Sequence, residues 1–200
     1  KTEMSEFNRA KAAALLDMFG YVDKDGDGWR DMPDGKPLVL QYFTTPDAAS
    51  RELNEIWKKN MDAAGIKIEF KAGKWPEHLK AARAGKLMMW GLGYTAANPD
   101  GAGALALGYG PAKGEGNLPR FENAEFDKLY QEQQLMPDGP ERLAVMQLAV
   151  KIMVAYMPYK FTTHRILTDM TQPWLLGYRR HPVDSGFWRY VDIDLSKLPK

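Results

Sequence analysis

The fold is decided by residues 37–94, which read PLVLQYFTTPDAASRELNEIWKKNMDAAGIKIEFKAGKWPEHLKAARAGKLMMWGLGY. Pro37–Phe43 is an apolar run, Ile66–Phe70 alternates apolar and polar residues, and Leu87–Tyr94 is almost wholly apolar, so each stretch predicts a β-strand. The two segments between them carry apolar residues at helical spacing. Strand, helix, strand, helix and strand in this order predict a βαβαβ unit of an α/β fold, with right-handed crossovers and with central strands buried on both faces.

The two helices of this unit have recognisable ends. Thr45-Pro46-Asp47 combines a capping hydroxyl on Thr45, a proline and an acid, so the first helix is expected to begin there and to end at Gly65. The residues predicted to share its apolar face are Ala49, Leu53, Ile56, Trp57, Met61 and Ala64. The second helix is predicted from Trp75 to Ala84, just before Gly85.

The rest of the chain predicts further elements around this unit. The first is a helix from Phe7 to Phe19, and a loop from Thr95 to Leu118 with a short helix at 102–107 follows the unit. Next come a helix capped by Asn123, with Phe126, Leu129 and Tyr130 inward, and a helix that begins at Asp138-Gly139-Pro140 and is broken by Pro158. The latter carries Leu143, Met146, Leu148, Val150 and Met153 at helical spacing, and an extended strand is predicted from Tyr159 to Thr171. We therefore expect one α/β unit whose sheet is flanked by helices.

The composition argues against several classes of protein. Lys and Arg number 27 against 26 Asp and Glu, a net charge of +1, which argues against a nucleic-acid binder and a polybasic membrane anchor. The absence of cysteine excludes disulfides and thiolate chemistry. The three histidines, His78, His164 and His181, lack metal-ligand spacing, so neither a metal nor another cofactor is predicted. No stretch approaches the roughly 20 apolar residues of a membrane span.

The loop after the third predicted strand is the best candidate for a binding site. Ligands of open α/β sheets bind outside the carboxyl ends of the strands, and Trp90, Tyr94, Asn98 and Asp100 lie at or beyond that end. An aromatic wall with a few polar groups is typical of a small-molecule pocket. The alternative from the residues alone is that Trp90 packs in the core and Asn98-Pro99-Asp100-Gly101 is only a turn.

Two other interpretations of acidic residues compete with a binding module. The Asp23-x-Asp25-x-Asp27-Gly28 stretch suggests a calcium-stabilised structural module, but a turn whose side chains bond their own backbone explains it as well. Glu69 and Asp100 could serve a carboxylate-dependent hydrolase, which would need the two acids in one pocket with separated pKa values. The sequence does not place these two acids together, so no catalytic residue is assigned.

The order of landmarks resembles the C-terminal lobe of the family 5 extracellular solute-binding proteins, the dipeptide, oligopeptide and nickel-binding group. The landmarks are Ala10–Leu16 with Gly20-Tyr21, Asp25–Asp31, Leu38–Phe43, the helix of Trp57, Gly65–Glu69, Trp75–Leu79, Gly85–Tyr94, Asn98-Pro99-Asp100, Asn117–Tyr130, Met157-Pro158-Tyr159 and Trp174–Tyr178 with Trp188. The resemblance covers about residues 7–192. It implies a periplasmic binding protein-like lobe comprising residues 1–200, with 160–200 as a crossover or closing segment toward a second lobe.

The resemblance also implies a function. It implies the non-enzymatic substrate-binding component of an ABC importer: a periplasmic or extracytoplasmic monomer that captures a peptide-like or other small polar solute and delivers it to a membrane permease. The protein would meet the membrane only through that permease. Trp90, Tyr94, Asn98 and Asp100 would line the cleft, with Tyr159 and His164 near the crossover. Since the chain opens with Lys1 and without an initiator Met, we expect it to be a piece of a longer protein.

One departure from the family bears on the ligand. Peptide-binding members carry an Asp just before the Pro-Asp turn, and it holds the α-amino group of the peptide. Ala97 or Asn98 stands there in this chain, so that charge-assisted contact is missing or has moved to Asp100. A less cationic solute, a modified peptide or another oligomer is therefore an alternative to a free peptide.

Overall fold

A computed structural model describes residues 6–96, 99–164, 166–181 and 186–199 of the chain. The elements, in chain order, are α1 (Arg9–Met18), β1 (Val39–Thr44), α2 (Ala48–Asp62), β2 (Lys67–Ala72), α3 (Trp75–Arg83), β3 (Met89–Trp90), α4 (Ala102–Leu105), α5 (Ala124–Gln134), α6 (Pro140–Tyr156), β4 (Leu175–Leu176) and β5 (Asp192–Ile193). No helix in these ranges is both long enough and apolar enough to cross a membrane.

The predicted βαβαβ unit is confirmed. β1 is the middle strand of a parallel sheet, with β2 on one side and β3 on the other. Tyr42 and Phe43 are adjacent in β1, so their side chains point to opposite faces. The Tyr42 ring lies 6.2 Å from that of Trp57 in α2, whereas the Phe43 ring lies 5.6 Å from that of His78 in α3. The two connecting helices therefore cover opposite faces of the sheet.

The third strand is much shorter than predicted. Only Met89 and Trp90 pair with β1, opposite Tyr42 and Phe43, whereas the sequence predicted a strand from residue 87 to 94. β1 itself ends at Thr44, one residue beyond Phe43, the partner of Trp90. The apolar residues that followed the strand pattern instead begin an irregular segment at 91–96.

Burial of the sheet is also less complete than predicted. Thr44 is the buried residue of β1, and the others are half-buried. In α2, Trp57 and Met61 face the sheet, but Leu53 and Ile56 are 59% and 57% exposed. The predicted apolar face was therefore too broad. Leu53 and Ile56 share a side of α2 that the described part of the chain leaves uncovered.

The start of α2 is as predicted, but its cap is a different residue. Asp47, not Thr45, is the N-cap, and its carboxylate accepts a hydrogen bond from the Ser50 backbone N–H at 2.9 Å. The Thr45 hydroxyl donates to the other oxygen of the same carboxylate. A carboxylate is a strong acceptor for the unpaired N–H groups of a first turn. The hydroxyl therefore supports the cap and does not form it.

The main hydrophobic core lies in the helical half of the chain, where α4, α5 and α6 meet. Its buried members are Leu105, Phe126, Tyr130, Ala149 and Met153. The predicted inward residues of α5 are confirmed, and the Asn123 side chain caps that helix by accepting the Phe126 N–H at 2.9 Å. The short helix predicted near 102–107 is also present as α4.

The C-terminal part of the chain is mostly irregular. α6 ends at Tyr156, Met157 adopts a left-handed conformation with φ 49°, and Pro158 follows, as the sequence predicted. The described residues of 159–171 contain no strand, so the extended strand predicted there is wrong. Short apolar alternation is not enough without a partner strand. Instead β4 and β5 form a separate antiparallel pair.

Candidate functional site

Two tryptophans form an aromatic wall at the carboxyl edge of the parallel sheet. Trp90 ends β3 and is half-buried, and Trp75 begins α3 directly after β2. Their ring centroids are 6.3 Å apart and the planes are inclined by 43°. Trp75 is 46% exposed. The sequence reasoning missed Trp75 as a site residue, although its position just beyond a strand was the signal, because the carboxyl ends of parallel strands share one edge.

Tyr94 and Tyr159 form a second aromatic group near this loop. Tyr94 is 61% exposed. Tyr159 is half-buried, and its hydroxyl donates a hydrogen bond to the Gly116 carbonyl at 3.4 Å. Burial raises the pKa of Tyr159, and Tyr94 lies close enough to raise it further. Phe161 stacks on Tyr159 with ring centroids 6.4 Å apart, so residues after α6 extend the aromatic surface.

Asp100 lies near this loop, but its carboxylate is already engaged. One oxygen accepts the Ala102 backbone N–H at 2.9 Å and the other accepts Arg142 Nη2 at 2.8 Å. These two partners, the backbone N–H first, hold the pKa of Asp100 below its usual range. The carboxylate is therefore ionised and paired within the chain. It does not stand as a free acceptor for a ligand amine.

The other predicted site residues are not linked to this group. His164 is exposed, and among the described residues no hydrogen bond or ring contact joins it to Tyr94 or Tyr159. Asn98 lies outside the described residues. The aromatic members Trp90, Tyr94 and Tyr159 therefore carry the geometry of the candidate site, with Trp75 and Phe161 added by the structure.

Glu69 and Asp100 do not form the arrangement that a carboxylate-dependent hydrolase needs. Glu69 lies on β2, whereas the Asp100 loop follows β3, and β1 separates these strands. Glu69 pairs with Lys71 at 2.8 Å, and this contact lowers the pKa of Glu69 as Ala102 and Arg142 lower that of Asp100. An acid–base pair requires one carboxyl with a raised pKa. The pKa values of Glu69 and Asp100 are both lowered.

The acidic loop before β1 forms the turn that the sequence allowed. Asp23 accepts the N–H groups of Gly26 and Gly28 at 2.7 and 2.9 Å, and Asp27 accepts the Trp29 N–H at 2.8 Å. Oxygens of Asp23, Asp25 and Asp27 lie within 4.8 Å of one another on an exposed surface. Backbone hydrogen bonds thus account for the loop geometry, and calcium binding there stays an untested alternative.

Comparison with known proteins gives the same family as the resemblance. The model of the bacterial extracellular solute-binding proteins, family 5, middle region, matches residues 1–116. The chain is 22% identical over 193 residues to di/tripeptide-binding protein 2 of Pseudomonas aeruginosa, covering 88% of this chain and 36% of that protein. It is 24% identical over 190 residues to heme-binding protein A of Haemophilus influenzae, covering 94% and 33%.

A solved structure supports the fold. The oligopeptide-binding protein AppA of Bacillus subtilis, in complex with a nonapeptide, superposes with a TM-score of 0.79 at 20% identity, covering 94% of this chain and 38% of that one. The chain therefore spans about a third of the length of the relatives it matches. At this identity the likeness establishes the fold, and the periplasmic binding protein-like α/β prediction is confirmed.

Proposed function

The chain belongs to the bacterial extracellular solute-binding proteins of family 5, and on that premise we propose that the whole protein is the substrate-binding component of an ABC importer. It captures a small polar solute outside the cytoplasm and delivers it to a membrane permease. One observation carries the assignment of the site: the aromatic wall at the carboxyl edge of the sheet, where the rings of Trp75 and Trp90 lie 6.3 Å apart and Tyr94 follows in the exposed loop.

The proposed solute is peptide-like or another small polar molecule. Aromatic faces with few polar groups bind a solute through contact area, and the polar groups orient it. The Asp100 carboxylate is occupied by Arg142 and Ala102, so it is not free to hold an α-amino group. This favours a solute held mainly by stacking and backbone contacts, whether it is a modified peptide or another oligomer.

We assign the remaining roles on the same premise. Residues 1–200 supply one lobe of a monomeric two-lobed protein, and residues 160–200 form the segment that closes toward the other lobe. Ile166 and Met170 are 97% and 93% exposed within it, which supports a role in packing against a part of the protein beyond this chain. Asn98 and His164 are proposed to reach the solute when the lobes close, a hinge motion.

We propose no enzymatic role for the protein. The relatives named above are binding proteins, and Glu69 and Asp100 are both paired and ionised. Nucleic acid is not a proposed partner, since the net charge is +1.

The experiment that tests this function begins with native mass spectrometry of the full-length protein, purified gently from its own host. A co-purified small molecule of defined mass is expected. The same molecule is then added to Tyr94→Ala and to Tyr156→Ala, and the rise in melting temperature is compared with that of the unaltered protein. Tyr156 is a matched control because it is 68% exposed and lies on α6.

The two variants separate the outcomes. A solute bound only by the folded state raises the melting temperature, so Tyr94→Ala is expected to reduce the rise and Tyr156→Ala to leave it unchanged. A full-length protein that carries no small molecule and responds to neither peptide nor sugar mixtures would refute solute capture. An equal rise in all three proteins would remove Tyr94 from the site.

A further inference from the structure

Arg142 joins the loop after β3 to the helical half of the chain. We propose that Arg142, through Asp100, is a positioning residue that holds the end of this loop in the arrangement that receives the solute. The inference rests on the proposed function, because it concerns the same site. Arg142 lies in the first turn of α6, 42 residues from Asp100 along the chain.

The guanidinium of Arg142 is almost fully enclosed by partners. Its side chain is 13% exposed. Nη2 donates to Asp100 at 2.8 Å and to the side-chain oxygen of Gln133 at 2.9 Å, while Nε donates to the Gln133 carbonyl at 3.0 Å. Nη1 donates to Asp138 at 2.6 Å. A planar fork with fixed donor directions satisfies all of these acceptors at once, which a lysine ammonium does not do.

Gln133 gives this cluster a rigid base. It is completely buried in the last turn of α5, where backbone carbonyls have no partner within the helix. The Gln133 carbonyl accepts hydrogen bonds from Arg142 Nε at 3.0 Å and from the Met136 N–H beyond the helix end at 3.4 Å. The guanidinium is therefore fixed by α5 and α6 independently of Asp100, and Asp100 attaches the loop to an already positioned group.

Asp100 transmits this attachment to both sides of the loop end. Its second oxygen accepts the Ala102 N–H, so the same carboxylate that contacts Arg142 also orients the first residue of α4. Leu105 of α4 is 2% exposed and packs in the core with Phe126. The chain from Asp100 to Leu105 is thus tied to the helical half by one ion pair and one buried side chain.

The opposite end of the loop is fixed by the sheet. Trp90 of β3 pairs with Phe43 of β1, and residues 91–96 then leave the sheet without further pairing. The two ends of the candidate site loop are therefore fixed by β3 and by the Arg142–Asp100 contact. Tyr94, which has neither anchor of its own, depends on both of them for its position beside Tyr159.

The test uses the full-length protein and three variants. Asp100→Asn keeps the shape and an acceptor for Ala102, but it turns an amide toward Arg142. Arg142→Lys keeps the charge and loses the fork. Asp138→Asn is the matched control, because it removes the negative charge from another Arg142 partner without touching the loop. Exchange of the backbone amides of residues 91–108 is measured without any solute, and the affinity for trialanine is measured by calorimetry.

Positioning by Arg142 predicts faster amide exchange near Ala102 in Asp100→Asn and Arg142→Lys, and unchanged exchange in Asp138→Asn. Affinity for trialanine is expected to fall about 3- to 30-fold in the first two variants, the range for residues that act through others. Rapid exchange only around Gln133 in Arg142→Lys, with Asp100→Asn unaltered, would make Arg142 merely structural. Altered exchange with unchanged affinity would also overturn the proposal.

The exchange measurement and the affinity measurement together separate this proposal from the proposed function. If the unaltered protein ignores trialanine, capture of a free tripeptide is refuted, and the exchange arm still decides whether Arg142 holds the loop. If trialanine binds and all variants bind it equally, the function survives and the positioning role does not.

Discussion

A single methyl group at Gly108 is expected to disturb the helical core. Gly108 is buried at the end of the 3₁₀ turn that follows α4, and an added Cβ would lie 2.5 Å from the Met153 methyl and 2.8 Å from Cζ of Phe126. The Met153 methyl is the end of a flexible chain and can rotate away. Phe126 is 0% exposed, and its ring is held against Phe121 at 5.6 Å, so it has nowhere to move.

The expected loss of stability depends on the Phe126 ring, which cannot move away as the Met153 methyl can. Overpacking a close-packed core costs about 1–3 kcal/mol, and we place Gly108→Ala in the upper half of that range because the ring must shift. At about 2–4 °C per kcal/mol for a chain of this size, the melting temperature should fall by roughly 4–12 °C. The backbone of Gly108 is not in the left-handed region, so the cost is steric.

Gly103 provides the matched control for this measurement. It lies only five residues away, in α4, is exposed, and has no atom within 4 Å of an added Cβ. Gly103→Ala should therefore be neutral or stabilise the chain by up to about 1 kcal/mol, the helix preference for Ala over Gly. Thermal unfolding is followed by far-ultraviolet circular dichroism in both variants. Equal melting temperatures for the two variants would refute the assigned packing of Phe126 against Gly108.

Three further changes test other contacts. Asn117→Ala should destabilise the chain by at least about 3 kcal/mol in urea unfolding. It leaves the N–H and C=O of Phe121 and the C=O of Tyr109 without a hydrogen-bond partner, at a cost of about 1–3 kcal/mol each. A loss below about 1 kcal/mol would contradict this reasoning. Asn123→Ala should cost about 1 kcal/mol as a lost N-cap, and Asn123→Ser should recover most of it in the same assay. The partners of Asp100 lower its pKa, so the stability from the Arg142 contact is present above the usual carboxyl pKa of about 4 and is lost as the pH falls through the lowered value. When urea midpoints are measured against pH, Asp100→Asn should therefore lose less stability in acid than the unaltered protein. Identical pH profiles for the two proteins would count against this contact.

Local patterns predicted a large part of this architecture. Alternation and apolar runs placed β1 and β2, and helical spacing placed α2 and α3 between and after them. Asn123 and Gly65 marked helix ends correctly because capping depends on a few neighbouring residues. Trp90 was also predicted at the carboxyl edge, since the edge follows from the order of parallel strands, whereas Trp75 beside it was missed.

The sequence did not predict features that depend on residues far apart in the chain. The third strand pairs with β1 only at Met89 and Trp90, a limit that the apolar run from Leu87 to Tyr94 does not contain. Leu53 and Ile56 have the spacing of a buried face, yet both are more than half exposed. Helical spacing shows which residues share a face, but the packing partner decides how wide that face is.

The sequence by itself determined the α/β class, the order of the elements and the edge of the sheet where a solute would meet aromatic side chains, because these depend on local periodicity and strand direction. Only the tertiary structure decided that Asp100 is held by Arg142 and that the main core lies among α4, α5 and α6. A contact between residues far apart in the chain depends on how the whole fold brings their segments together, and no local pattern encodes that distance.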